Sequence, residues 1–303
     1  MYYTTSQATL QKPRPTVIIF AKPETGADKY SKTFYFTTNE SNIIQNGLTT
    51  YKEESMEIDH DTQRNIQSFV SNLTGADDTE IQKYIIEILS DNKFHDSINA
   101  KVNPETGEKP FSYKNLAVDV SSRLALYVLC RTMKPSVVVE TGVASGISSS
   151  FILRALGENA KGNLFSIDVP WQTVKQNWQL KPTDDVIREQ PIETKSGWII
   201  PDHLRNRWEL TIGRSAEKLP LLLKQVGAVD IFFHDSEHTY ENMVWEFKTI
   251  WPSLRKGGVM MAHNIDKHTA FADFEKSVGG TSFKLSGLNN DGREMFSGGK
   301  VKE

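Results

Sequence analysis

The sequence predicts an α/β protein: a doubly wound, mostly parallel sheet ending in an antiparallel hairpin, with an N-terminal α+β appendage. Three observations predict it. From about Asn115 onward, short continuous apolar runs alternate with helical patterns, as strands buried on both faces of a parallel sheet require. The final runs, in T-S-F-K-L-S-G-L-N-N-D-G-R-E-M-F-S-G, are joined by N-N-D-G, a hairpin signal. The first ~110 residues lack that alternation and read as a separate region.

In that first region, T-V-I-I-F-A and T-F-Y-F-T-T read as two short strands with a turn at P-E-T-G. The stretch D-D-T-E-I-Q-K-Y-I-I-E-I-L-S-D places Ile81, Tyr84, Ile85, Ile88 and Leu89 on one helical face. Its acidic start, Asp77 to Glu80, suits the positive end of the helix dipole. K-V-N-P-E-T-G-E-K-P is a polar run of turn formers and reads as a hinge. Residues 1–112 are therefore expected to form a cap or an oligomerisation region, and residues 113–303 the main domain.

The main domain opens with a helix from about Leu116 to Met133, stopped by Lys134-Pro135. V-V-V-E follows as a strand, then a helix through F-I-L-R-A-L and a second strand, N-L-F-S-I-D. W-E-L-T-I-G leads into a helix at A-E-K-L-P-L-L-L-K, and V-D-I-F-F-H-D and G-G-V-M-M-A-H-N each lead into another. In the helix after Asp235, Tyr240, Met243, Val244, Phe247 and Trp251 recur at helical spacing, which marks core. The segment 170–207 is long for a link between sheet strands, and three of the six tryptophans lie in it. It reads either as a lid over the site or as a small satellite core.

Composition narrows the function. With 303 residues, 24% charged and 38% hydrophobic, the chain reads as an ordinary globular protein. A formal charge of −3 argues against a partner held through nucleic-acid phosphates. No apolar run approaches the length of a membrane span, and the start M-Y-Y-T-T-S-Q lacks the basic region of a secretory leader. The single cysteine, Cys130, fits a reducing cytoplasm, and its place in L-A-L-Y-V-L-C makes it a buried helix residue rather than a nucleophile.

Ligands of doubly wound sheets bind beyond the carboxyl ends of the strands. Those ends are Glu140, Asp168, Gly213, Asp235 and the pair His263-Asn264. In Glu140-Thr-Gly142-Val-Ala144-Ser-Gly146, glycines stand where backbone approaches a ligand and where a helix packs closely on a strand. A carboxylate there sits poorly beside phosphates and suits a cationic group such as an α-ammonium. Asp168 ends the next strand, where it can accept hydrogen bonds from ribose hydroxyls. A nucleoside whose other end is a cationic amino acid describes S-adenosylmethionine.

On these residues the chain resembles the class I S-adenosylmethionine-dependent methyltransferases, with a Rossmann-like fold. E-T-G-V-A-S-G matches their first motif with alanine in the middle glycine slot. V-D-I-F-F-H-D-S-E-H-T-Y-E-N-M-V-W-E-F and L-R-K-G-G-V-M-M-A-H-N-I look like the small-molecule O-methyltransferases related to macrocin and catechol O-methyltransferases. The resemblance covers roughly residues 115 to 300. It implies that Glu140 and the turn Gly142, Ala144 and Gly146 hold the methionine portion of the cofactor, Asp168 its ribose and Val169 its adenine. It further implies Ser215 and Ala216 at the adenine edge and Asp235 close to the transferred methyl. A helix N-cap is a second, compatible role for Ser215.

The metal-dependent branch of that family binds a divalent cation after the fourth and fifth strands, which here implicates Asp235, His263 and Asn264. Histidine replaces a carboxylate in that set; magnesium tolerates imidazole poorly, whereas manganese, iron and zinc accept it. The alternative is no metal, with a histidine as general base. Four of the seven histidines fall between 234 and 268, and His238 is the favoured base, followed by His263. The expected activity is methyl transfer to a small-molecule acceptor, at a hydroxyl, by a cytoplasmic enzyme without nucleic-acid or membrane partners and open to homo-oligomer formation. Three alternatives remain at this stage: an NAD-dependent oxidoreductase, a non-catalytic nucleoside-binding protein and an iron hydroxylase on the same fold. Against the first stands the 28-residue step from Glu140 to Asp168, compared with about 20 in a dinucleotide fold.

Overall fold

The structure is a computed structural model that describes residues 58–102, 118–169, 195–288 and 292–303. The two strands expected near the N-terminus, most of the polar hinge and residues 170–194 of the long insertion lie outside the described residues.

Three helices come first: α1 (His60–Thr74), α2 (Asp78–Leu89) and α3 (Asn92–Val102). The side chains of Asp59 and Asp77 accept backbone N–H groups of Thr62 and Thr79 at 2.7 and 2.8 Å. These caps give partners to donors that the first helical turn leaves unpaired. α2 buries Ile81, Tyr84, Ile85 and Ile88 of the stripe its spacing predicts, with Leu89 half-buried. α1 buries Ile66, Phe69, Val70 and Leu73 in the same apolar cluster as α4 (Val120–Met133). α4 ends at Lys134, which adopts left-handed backbone (φ 46°) directly before Pro135. Cys130 is fully buried on this helix, and burial pushes its thiol far above the ordinary range, as an inert packing residue requires.

The sheet strands are β1 (Val137–Thr141), β2 (Asn163–Asp168), β3 (Trp208–Ile212), β4 (Val229–His234), β5 (Leu254–Ala262), β6 (Ser282–Leu288) and β7 (Glu294–Val301). Among the described residues they form one sheet in the order β3-β2-β1-β4-β5-β7-β6. The first five pair in parallel, and β7 runs antiparallel to both β5 and β6. The connecting helices are α5 (Ile147–Glu158), α6 (Ser215–Val226), α7 (Tyr240–Ile250) and α8 (Ala270–Val278).

Strand periodicity divides the core between the two faces. Val138, Ile231, Phe233, Val259 and Met261 join the cluster under α1, α2, α4 and α5. Val139, Phe232 and Met260 join the cluster under α6, α7 and α8, with Met243 and Phe247 of α7 at its centre. Both faces are covered, which is why the strands read as unbroken apolar runs rather than alternating ones.

The winding direction reverses between β1 and β4, the place where such sheets leave a crevice. Thr141 pairs with Ile167 on one side and His234 on the other, and His234 pairs with Ala262. The next residue along each strand is Gly142, Asp168, Asp235 and His263. Parallel register therefore delivers four of the expected site residues to one edge.

Candidate active site

The turn after β1 is shaped by close backbone contacts. Gly142 has φ 84°, and a Cβ there would lie 2.1 Å from the carbonyl oxygen of Asp235. Gly146 has φ 94°, and its Cβ would meet Gly197 and Ile200 at 2.7 Å. Only glycine tolerates both the left-handed backbone and the missing space. Ala144, in the middle slot, takes left-handed backbone at φ 47° and is exposed.

Glu140, expected to face an ammonium group, has a different arrangement. It is completely buried, and its carboxylate accepts the hydroxyls of Ser148 and Ser149 at 2.6 Å and of Ser166 at 2.8 Å. The first two serines are on the first turn of α5 and the third is on β2. Glu140 thus braces the strand-to-helix turn from beneath. Burial lifts its pKa to about 7 against the three serine hydrogen bonds, and the Asp235 charge adds to the rise.

Asp168 reaches back under the same turn. Its Oδ1 accepts the backbone N–H of Val143 at 3.1 Å, and its Oδ2 accepts the hydroxyl of Ser196. Burial raises its pKa, opposed by Ser196 and by the backbone amides of Val143, Ala144 and Val169. Val169 directly follows it, half-buried. Ser196 belongs to the described end of the insertion, which straps the turn: Gly197 and Ile199 donate to the carbonyls of Ala144 and Ser145 at 2.9 and 3.1 Å. Ile199 and Ile200 are fully buried, and Trp198 packs against that core. This part of the insertion is therefore core. Trp171 and Trp178 lie outside the described residues.

Ser215 and Ala216 open α6, beside the β3 end, where Gly213 donates to the carbonyl of Asp168 at 2.9 Å. The N-cap position belongs to Arg214 and has no side-chain cap, so Ser215 lacks the expected capping role. Its hydroxyl instead bonds Asn242 Oδ1 at 3.4 Å. Ala216 is exposed.

Beyond β4 and β5 the histidines converge on Asp235. His263 is buried, with Nδ1 3.0 Å from Asp235 Oδ1 and Nε2 3.2 Å from Asp119 Oδ2. Both ring nitrogens face carboxylate oxygens, so both carry protons here. Burial opposes that charge, but Asp235 and the hydrogen bonds to Asp119 and Asp235 outweigh it and lift the pKa to about 10. Burial works against ionised Asp235 as well, yet the charge on His263 and its hydrogen bond hold Asp235 well below the usual carboxylate range.

His238 differs. Burial lowers its pKa to about 4 in spite of Asp235, so it is neutral near pH 7. Asn264, in left-handed backbone at φ 56°, donates its amide to His238 Nε2 at 3.3 Å, and that same nitrogen lies 3.5 Å from Asp235 Oδ1. Asp235, His238 and His263 each offer one ligand atom, all within 4.8 Å of one another. One carboxylate oxygen and two imidazole nitrogens fit a divalent cation of manganese, iron or zinc type and suit magnesium poorly. The expected set of Asp235, His263 and Asn264 thus gains His238, while Asn264 directs its amide N–H at His238.

Behind this cluster lies a buried polar group that the sequence pattern does not single out. Glu246 of α7 accepts from Thr141 Oγ1, His234 Nδ1 and Ser236 Oγ at 2.6, 2.7 and 2.7 Å. Burial opposes its charge, but His234 and the surrounding hydroxyls lower its pKa to about 2. Tyr240 is exposed, with its ring against His268 and its hydroxyl 3.3 Å from Asp273.

A parallel sheet wound in this order and closed by an antiparallel β5-β7-β6 end is the Rossmann-like methyltransferase fold. Residues 139–265, from within β1 to just beyond β5, match the family model described as a methyltransferase domain. No curated protein matches the sequence. Among solved structures it is similar to cofactor-bound Rv0187 from MTB, at 16% identity over 78% of this chain and 96% of that one, TM-score 0.47. It is also similar to the O-methyltransferase from Bacillus cereus in complex with SAH, at 15% identity over 78% and 97%, TM-score 0.45. A third is the O-methyltransferase TomG from Streptomyces achromogenes, involved in tomaymycin synthesis and in complex with SAM, at 15% identity over 82% and 100%, TM-score 0.47. Among the described residues no helix is long and apolar enough to cross a membrane.

Proposed function

We propose that the enzyme transfers the S-adenosylmethionine methyl group to a hydroxyl of a small-molecule acceptor, beside a divalent cation held at the β4 and β5 ends. The observation that carries this reading is the convergence, along one sheet edge, of the Gly142–Gly146 turn, Asp168 and the Asp235–His238–His263 cluster.

In this reading the turn Gly142, Ala144 and Gly146 receives the methionine portion, and Glu140 holds the turn in shape through its serines. Ser145 Oγ, buried in that turn without a hydrogen-bond partner among the described residues, is a polar atom that a bound ligand or water can satisfy. Asp168 accepts from the ribose hydroxyls, with Val169, Ser215 and Ala216 around the adenine. S-adenosylmethionine supplies a methyl group on a sulfonium that is already a good leaving group, so the protein's part is alignment and a deprotonated oxygen. A divalent cation when bound lowers the pKa of a coordinated hydroxyl. His238 and His263, candidates for general base in the sequence, direct their inward nitrogens at Asp235 and are assigned to holding that cation.

Calorimetric titration with S-adenosylhomocysteine beside NADH tests the cofactor assignment. Micromolar binding of S-adenosylhomocysteine, no binding of NADH and at least a tenfold loss in Asp168→Ala are expected. NADH binding, or S-adenosylhomocysteine affinity unchanged in Asp168→Ala, would overturn it.

A further inference from the structure

Asp119 lies outside every sequence motif of the site, 144 residues away from its partner His263. It is the N-cap of α4, where its Oδ1 accepts the backbone N–H of Ser122 at 3.0 Å and its Oδ2 the hydroxyl of Ser122 at 2.6 Å. That hydroxyl is 2.9 Å from the hydroxyl of Ser297 on β7. Gly287 on β6 leaves room for the carboxylate: a Cβ there would stand 2.0 Å from Asp119 Oδ1. A helix terminus and two strands therefore fix a buried carboxylate in one orientation, and its remaining contact is the outer nitrogen of His263.

A histidine that ligates a metal through one nitrogen characteristically donates its other N–H to a carboxylate, which sets ring orientation and tautomer. Asp119 stands on that outer side of His263, and Nδ1 is then left for the interior. Into the same interior point Oδ1 of Asp235, 3.0 Å from Nδ1, and Nε2 of His238, 3.5 Å from that oxygen. The neighbouring amide N–H of Asn264 is directed at His238 Nε2, which marks that nitrogen as bearing a lone pair.

We infer that Asp119 is the positioning residue of a mixed nitrogen–oxygen cation site formed by Asp235, His238 and His263, and that this site takes manganese(II), iron(II) or zinc(II) in preference to magnesium. The inference rests on the proposed reading of that cluster as a cation site and extends it in two ways. It names the cations that the two imidazoles select, and it assigns the second carboxylate contact of His263 to orientation. A cation entering the site takes the place of the Nδ1 proton, while the N–H toward Asp119 remains.

Manganese(II) alone is the probe, with electron spin echo spectroscopy reporting directly bound nitrogen. The wild-type protein is expected to bind one manganese(II) with two nitrogen couplings, undisplaced by a tenfold excess of magnesium. His238→Ala should retain one coupling. Asp119→Asn keeps a good helix cap, so the fold is expected to survive, and the affinity for manganese(II) should fall about 10–100-fold. Manganese bound without nitrogen coupling, no manganese binding, or unchanged affinity in Asp119→Asn would each overturn the inference. S-adenosylhomocysteine titration without metal, on the same samples, separates its failure from that of the methyltransferase reading: retained binding leaves the latter standing.

Discussion

The hydroxyl of Thr141 donates to the carboxylate of Glu246 at 2.6 Å across 105 residues of sequence. Thr141 is the last residue of β1, and Glu246 is buried in the middle of α7. His234 and Ser236, on either side of Asp235, bond the same carboxylate. Glu246 therefore ties together the two strand ends that flank the crevice, from behind the surface that faces ligand. The loops carrying Gly142 and Asp235 are held at a fixed separation by one side chain that has no route to the ligand itself.

Glu246→Ala is expected to be among the most destabilising single changes in the domain. It leaves buried His234 and Thr141 and half-buried Ser236 without their shared acceptor, and a buried polar group left unsatisfied costs about 1–3 kcal/mol. Glu246→Gln keeps the shape and should cost less. Urea unfolding of the three proteins gives the values directly. A loss under about 1 kcal/mol for the alanine variant would refute the bracing role.

Gly142→Ala tests the close approach of the β1 and β4 loops. The added methyl would fall 2.1 Å from the Asp235 carbonyl oxygen on a backbone with φ 84°, so the Asp235 segment must move. Because Asp235 is shared between the cofactor edge and the histidine cluster, S-adenosylhomocysteine and manganese affinity should fall together, with each losing at least tenfold. Loss of one ligand alone would show that the two loops move independently. Gly75→Ala is the control, since nothing lies within 4 Å of a Cβ there and only the helix end at φ 70° is perturbed.

The sheet and the identity of its strand ends were legible because both are local. Continuous apolar runs report burial on two faces, and parallel strands end along one edge of the sheet, so the strand-end places of Glu140, Asp168, Asp235 and His263 could be found without coordinates. What each end faces was less legible. Glu140 reads as a ligand-facing carboxylate until α5 folds back and brings Ser148 and Ser149 over it, although the run I-S-S-S after Gly146 held that signal. Asp119 falls inside the helix expected from about Leu116, whereas it caps a helix that starts at Val120, and the D-V-S-S pattern says nothing of a partner histidine beyond β5. Glu246 was hidden for the opposite reason. On a helix otherwise marked by Met243 and Phe247, a lone glutamate resembles a solvated position until four polar partners converge on it.

Glu140 gives a pH dependence whose sign can be worked out. Its pKa is raised by burial to about 7 in the folded chain, against 4.5 for an ordinary glutamate. Between those values the folded state binds more protons at this site than the unfolded state, so stability falls as pH rises from about 4.5 to 7 and levels off above. The size of the effect is about 3 kcal/mol, because each tenfold change in proton affinity corresponds to about 1.4 kcal/mol. Glu140→Gln is neutral at every pH, and its amide can still accept a serine hydroxyl. The difference in stability between wild type and Glu140→Gln should therefore change across this window and stay constant above about pH 8. Other groups titrate in both proteins alike, so the comparison isolates this one. Unfolding free energies measured in urea at pH 5, 6, 7 and 8 provide the check. A difference independent of pH would mean that Glu140 remains ionised under its three serines, and the hydroxyls rather than burial would then dominate the site.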